Sequence, residues 1–271
     1  MLRLASALGL LFAATAVDAQ WLDHRDPKTP RTAAGTPNLS APAPRVNGTP
    51  DLSGVWQAER TPAEEFVRAL GPGFTQLQID YNDITKNFVS VFWGLKPQEE
   101  PLRPEGAAIL KQRLSSGEQF QGAACLPASV PATMNVLAFK MVQAANQLVV
   151  VFENGDPVRQ IHTDGRSLPK DPNPSWMGYS VGRWQADTLV VETIGITTRA
   201  WLDVIGHPRS EDMRITERYR RRDFGHMDFE VSIEDPKYYT RPFGYKATMT
   251  LLPDTDVLEY VCTENQKLRL K

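Results

Sequence analysis

Between Asp203 and Glu217 lie the residue types that acid–base chemistry needs: Asp203, His207, Ser210 and Glu217. An imidazole titrates near neutrality, so His207 is the candidate general acid or base. An aspartate that orients a histidine, and a histidine that activates a hydroxyl, are familiar parts of nucleophilic catalysis. Yet no G-x-S-x-G surrounds Ser210 to present it as a nucleophile. A hydrogen bond that only braces the loop therefore stands beside the catalytic reading of His207, with Asp203 as its partner in either case.

Glu217 enters on different grounds. From Met213 to Arg222 the chain alternates, with Met213, Ile215, Glu217, Tyr219 and Arg221 on one face and Arg214, Thr216, Arg218, Arg220 and Arg222 on the other. The second face is almost wholly cationic and must be solvated or paired. That turns the first face inward and places a carboxylate between Ile215 and Tyr219. A buried carboxylate needs partners. It can pair with an arginine, Arg159 or Arg183, work as an acid or base, or contact a polar ligand group. The arginine run could attract an anion or form a solvated, salt-bridged strand face, with Asp223, Glu230 and Glu234 close in sequence.

Other candidates are weaker. His162 and Asp164 form an H-x-D that could join His207 or His226 at a metal, but no H-x-x-x-H or H-E-x-x-H supports this. No metal and no cofactor is expected. Trp93, Trp176, Trp184 and Trp201 are large enough to line a cavity or fill a core. Trp176 and Trp201 fall in loops between strands, which makes them ligand-binding candidates, together with Arg159 and Tyr219.

The 271 residues, with 41% hydrophobic and 23% charged, are those of an ordinary globular chain, and a net charge of −2 argues against nucleic acid as the main partner. Residues 1–19 read as a signal peptide: Arg3, an apolar run from Leu4 to Ala16, and Val17-Asp18-Ala19 before Gln20. The run is too short to span a bilayer, and no membrane insertion is expected. A periplasmic or secreted location follows, and in such an oxidising space Cys125 and Cys262 are expected to pair, two free thiols being the alternative.

Residues 20–50 read as a Pro-rich extended arm or linker, with Trp21 and Leu22 as possible anchors. Within it Gly35-Thr36-Pro37-Asn38-Leu39-Ser40 is echoed by Gly48-Thr49-Pro50-Asp51-Leu52-Ser53. Residues 51–271 read as one β domain with an irregular insertion at about 59–124. Inside the insertion, Phe74 to Trp93 could hold two short strands. Pro104 to Leu114 suits a helix with Ala107, Leu110 and Leu114 as its stripe. Further strands are expected at Gly54–Gln57, Val136–Val142, Leu148–Phe152, Val158–His162, Gly178–Trp184, Thr188–Ile196, Met213–Arg222, His226–Glu234, Tyr245–Leu252 and Val257–Cys262. The fold class is all-β, an antiparallel up-and-down barrel of about nine or ten strands with one short helix.

Gly54-Val55-Trp56 resembles the G-x-W signature on the first strand of lipocalin-like (calycin) barrels. The resemblance implies that Trp56 packs at a closed barrel end beneath an arginine from a late strand. A longer resemblance covers most of Asp51 to Gln266. Asp51-Leu52-Ser53-Gly54-x-Trp56, Gly182-x-Trp184-x-x-Asp187-Thr188-Leu189-Val190-Val191-Glu192-Thr193, Glu217-Arg218-x-Arg220 and Cys262-x-Glu264-Asn265 are similar to motifs of a widespread family of exported bacterial proteins. It implies fold and export but no reaction. The expected function is binding of a small, largely apolar molecule in the barrel mouth. The alternatives are an acid–base enzyme (hydrolase, lyase or isomerase) using His207 and Glu217, and a structural envelope protein without a ligand.

Overall fold

Short alternating segments dominate the second half of the chain, and the computed structural model, which describes residues 25–70 and 84–262, joins them into a single closed ring. The ring strands are Gly54–Ala58 (β3), Phe139–Gln143 (β4), Gln147–Phe152 (β5), Arg159–His162 (β6), Tyr179–Gln185 (β7), Thr188–Ile194 (β8), Arg214–Arg221 (β9), His226–Glu234 (β10) and Phe243–Leu251 (β11). Arg45–Val46 (β1) and Thr49–Pro50 (β2) form a separate two-residue hairpin in the arm. The all-β barrel expected from alternation is present. Its strand directions depart from pure up-and-down order at one place, because an odd number of strands cannot alternate around a closed ring. The parallel pair is β6–β7, and the Pro-rich loop between them carries the chain back along the barrel.

Inward positions are filled with side chains. A void able to hold a water molecule would leave its lining accessible. Met141, Val150, Ile161, Val191, Tyr219 and Phe229 are each at most 1% exposed. On the outside of β9, the register sets Arg214, Arg218 and Arg220 directly opposite Glu234, Glu230 and Asp228 of β10. The arginine run is therefore a charge-compensated solvent face.

At the end where β3 begins, the guanidinium of Arg221 lies over the Trp56 ring, 4.9 Å from its centroid. Its N–H groups point to the carbonyls of Asp51, Ser53, Asp223 and Phe224. Gly54 has φ +138°, and a β-carbon there would stand 2.5 Å from Leu251, so the glycine of the signature is a packing requirement. The arm crosses this end. Phe224 and Gly225 donate to the carbonyls of Ala41 and Leu39, and Arg45 pairs with Asp187. Leu39 and Leu52, equivalent positions of the sequence echo, both pack on the barrel core. Trp21 and Leu22 lie outside the described residues.

Among the described residues the opposite end carries three α-helices where one was expected: Ala63–Leu70 (α1), Lys86–Val89 (α2) and Pro104–Ser116 (α3). Phe88 and Val89 belong to α2 and Val91 to Trp93 to a turn, none of them to a strand, and the part of that expectation up to residue 83 lies outside the described residues. α3 presents a different face from the expected stripe. Leu114 is exposed, whereas Gly106 is buried so closely that a β-carbon would lie 2.9 Å from the Tyr238 carbonyl oxygen. Arg113 on the same face reaches the Gly206 carbonyl.

Val257–Cys262 forms no strand, because the closed ring leaves no edge to pair with. That segment runs over the surface, with Leu258 N–H donating to Glu153 and Lys140 pairing with Asp256, and ends in the Cys125–Cys262 disulfide. The bond spans a sequence separation of 137, for which chain entropy gives about 4–5 kcal/mol. A Cys125→Ser/Cys262→Ser protein should lose roughly that much in urea denaturation. A loss below about 1 kcal/mol would mean that the tail is held without the bond.

Candidate functional site

Two buried polar clusters hold the predicted residues, and they share no hydrogen-bond partner. The first lies inside the barrel. Arg159 of β6 meets Glu217 of β9 through both terminal nitrogens, with Nη1 at 2.9 Å from Oε1 and Nη2 against Oε2. Nη2 also donates to Thr193 Oγ1 at 2.9 Å and Ser180 Oγ at 3.3 Å, and Tyr219 donates its hydroxyl proton to Glu217 at 2.8 Å. All five side chains are buried. Burial opposes the charge on Arg159, but Glu217 more than reverses this and holds the guanidinium ionised. Burial and the neighbouring Glu217 push the Tyr219 hydroxyl well up, so it stays a donor. Of the two arginines open to Glu217, Arg159 is the partner; Arg183 is exposed and bonds the carbonyls of Gly165 and Arg166.

The second cluster forms at the capped end. Asp203, itself buried, begins the turn to Gly206 and accepts N–H bonds from Gly206 and His207 on Oδ1 and from Val91 on Oδ2. The same Oδ2 lies 2.6 Å from His207 Nδ1, and Glu100 Oε2 lies 3.2 Å from His207 Nε2. Phe92 sets its ring edge-on to the imidazole at 4.8 Å. Burial alone would lower the His207 pKa, but the charge and hydrogen bond of Asp203, aided by Glu100, raise it to about 9. His207 is therefore an imidazolium clamped by two carboxylates at neutral pH. Glu100, at 11% side-chain exposure, is the cluster's contact with solvent.

Ser210 is not part of this arrangement. Its hydroxyl donates to Asp235 Oδ1 and its N–H to Asp235 Oδ2, both at 2.7 Å. Arg209 beside it is also buried, donating to Ser129 Oγ at 3.3 Å and to the Trp201 carbonyl at 2.9 Å. Trp201 is buried, with the Arg113 guanidinium 4.7 Å above its ring and Phe120 at 6.3 Å. Trp176 is half-buried beneath Arg199, and its carbonyl accepts from Ser129. The capped end thus gathers Asp203, His207, Trp176 and Trp201, while Arg159, Glu217 and Tyr219 lie in the packed interior. Trp93 donates to Glu65 in a separate small cluster with Phe66, and Trp184 packs on the barrel core.

His162 stacks on Tyr179, and Asp164 is held by Arg166. His226 bonds Asp223 at 2.7 Å. Among the described residues no three His, Cys, Asp or Glu side chains are grouped to hold a metal ion, and no helix is long and apolar enough to cross a membrane. Sequence reasoning missed Glu100, Asp235, Ser129 and Arg209. Arg209 carried a signal as the neighbour of Ser210 in the loop already singled out, and Asp235 in the Asp235-Pro236-Lys237 that the exported-family resemblance also includes.

The class these features define is an all-β protein with a closed nine-strand barrel. Comparisons with protein-family models, curated proteins and solved structures found no match.

Two stability tests follow. Glu217→Gln leaves Arg159 buried without its counter-ion and should cost about 3–5 kcal/mol, whereas Arg159→Met with Glu217→Leu should fall near wild type. A double variant as weak as the single one would mean that the pair itself stabilises. For His207, a folded pKa of about 9 against an ordinary 6.5 contributes roughly 3 kcal/mol. That contribution is whole below pH 6.5 and is lost as pH rises through 9. Urea midpoints of His207→Gln should therefore fall less than those of wild type between these values; parallel slopes would exclude His207 as the titrating group.

Proposed function

We propose that this protein is an exported, lipocalin-like barrel that binds a small, largely apolar molecule at its capped mouth. The observation that carries the reading is the concentration of buried charge there: Glu100, Asp203, His207, Arg209 and Asp235 meet around one loop. Burying an ion costs several kcal/mol that pairing only partly returns, so stability alone gives little reason for such a cluster. Trp201 and Trp176 supply apolar surface beside it. The disulfide supports an oxidising compartment, as the signal-peptide reading of residues 1–19 requires. Arg221 over Trp56 supports the lipocalin-like assignment, and the exported bacterial family that the motifs resemble is compatible with all three.

A second reading, a structural envelope barrel without a ligand, is favoured by the packed interior, whose inward side chains are at most 1% exposed at the positions named above. Acid–base catalysis has less support, because both ring nitrogens of His207 are engaged by carboxylates.

A thermal-shift and turnover screen against aromatic and terpenoid-like compounds, run on wild type and on His207→Ala, separates the three. Binding predicts saturable shifts without turnover. A panel that shifts nothing supports the structural barrel, and turnover abolished in His207→Ala would establish the enzyme.

A further inference from the structure

Four larger depressions on the surface each mix cations with carboxylates. A smaller cleft, of about 250 Å³, differs from them: among the described residues that line it, none is charged. It lies at the Trp56 end, between the arm hairpin β1–β2 and the barrel rim where β4 passes to β5 and β7 to β8. The hairpin contributes Asn47 and Thr49, and the rim contributes Gln143, Gln147, Thr163 and Trp184.

Trp184 is half-buried: it packs on the barrel core and also lines the cleft. An indole offers a flat apolar surface. The carboxamides beside it have capacity to spare. Gln147 spends one N–H on Gln160, while Gln143 accepts from the Leu52 N–H and donates to the Pro50 carbonyl. A carboxamide has two donors and two lone pairs, so each keeps positions for a further partner. The hairpin wall is held by these Gln143 bonds and by the exposed Arg45–Asp187 pair, whose charges answer each other. The volume is below the usual range of drug-sized pockets and gives room for about one substituted ring.

We propose that this cleft binds a single uncharged pyranose unit, its C–H face against Trp184 and its hydroxyls toward Gln143, Gln147 and Thr163. A pyranose combines the two chemistries the cleft presents. It has an apolar face for dispersion contact with an indole, and an edge of hydroxyls that both donate and accept. An ionised ligand would lose hydration there and find no opposite charge in the lining. A purely apolar ring would desolvate the carboxamides and hydroxyls without replacing their water. The site lies at the opposite end of the barrel from the capped mouth and does not depend on binding there.

The six tryptophans give separate indole N–H resonances in isotope-labelled protein, and Trp184→Phe identifies the one from Trp184. Titration with methyl glucoside, methyl galactoside and methyl mannoside should shift that resonance saturably with at least one of them, leaving those of Trp176 and Trp201 in place. The matching uronate should bind roughly tenfold more weakly or worse. Trp184→Ala should weaken the neutral sugar by roughly tenfold or more. Gln147→Ala, a change on the half-exposed rim, should cost about fivefold and serves if the Trp184→Ala protein does not fold. No saturable shift with any of the three sugars would overturn the proposal, as would affinity unaltered in these variants. A uronate that binds as well as its neutral counterpart, or a stronger response to benzyl alcohol than to any sugar, would overturn the ligand class.

Discussion

A guanidinium sealed inside a closed barrel fixes the positions of everything that touches it, and Arg159 touches four consecutive strands. It starts on β6, bonds Ser180 on β7 and Thr193 on β8, and pairs with Glu217 on β9. It thereby spans the parallel β6–β7 seam, where only Ile161 with Ser180 and His162 with Val181 are in register. A parallel pair is slightly weaker per residue than an antiparallel one, and this one is short. The ion pair therefore acts where the backbone ladder does least. Closure of the ring, on which the filled interior and the absence of strand edges both depend, is secured there by side chains.

The two ends are closed by different physics. Where β3 begins, Leu52, Trp56, Phe224 and the arm's Leu39 make an apolar plug, and Arg221 joins it by stacking on Trp56. At the other end the covering segments are held by apolar contacts, with Val91, Phe92, Leu202 and Tyr239 in the core, and by many polar groups besides. Val204 and Ile205 donate to the carbonyls of α2 at Phe88 and Val89, Arg103 and Thr240 exchange bonds across Tyr238 and Pro101, Arg113 reaches Gly206, and Gln121 accepts from Trp201. His207 joins Glu100 of the cover to Asp203 of the loop.

Much of the barrel was readable in advance because strand signals are local: β9 and β10 alternate with period two, and β5 and β8 carry short β-branched runs. The inward place of Glu217 followed from the same alternation, with Arg159 as one of two arginines open to it. Ring closure is not local, and for that reason Val257–Cys262 was misread: its apolar residues suit a strand, but no partner edge was left. The stripe of α3 failed for a related reason. Gly106 packs because it lacks a side chain, which no hydrophobic pattern can signal. Glu100 was invisible because nothing near Pro101 distinguishes it from a solvated carboxylate, and its partner lies 107 positions away.

These differences bear on where the molecule can open. Separating an apolar plug exposes surface that water does not welcome, whereas polar contacts have water as a ready substitute, so their net contribution is about 1 kcal/mol each. Local opening follows the regions with the fewest apolar contacts. By that measure the polar bonds of the cover open more readily than the Leu52–Trp56 plug, while Phe92, packed on His207, Tyr239 and Phe243, ties the cover to the core.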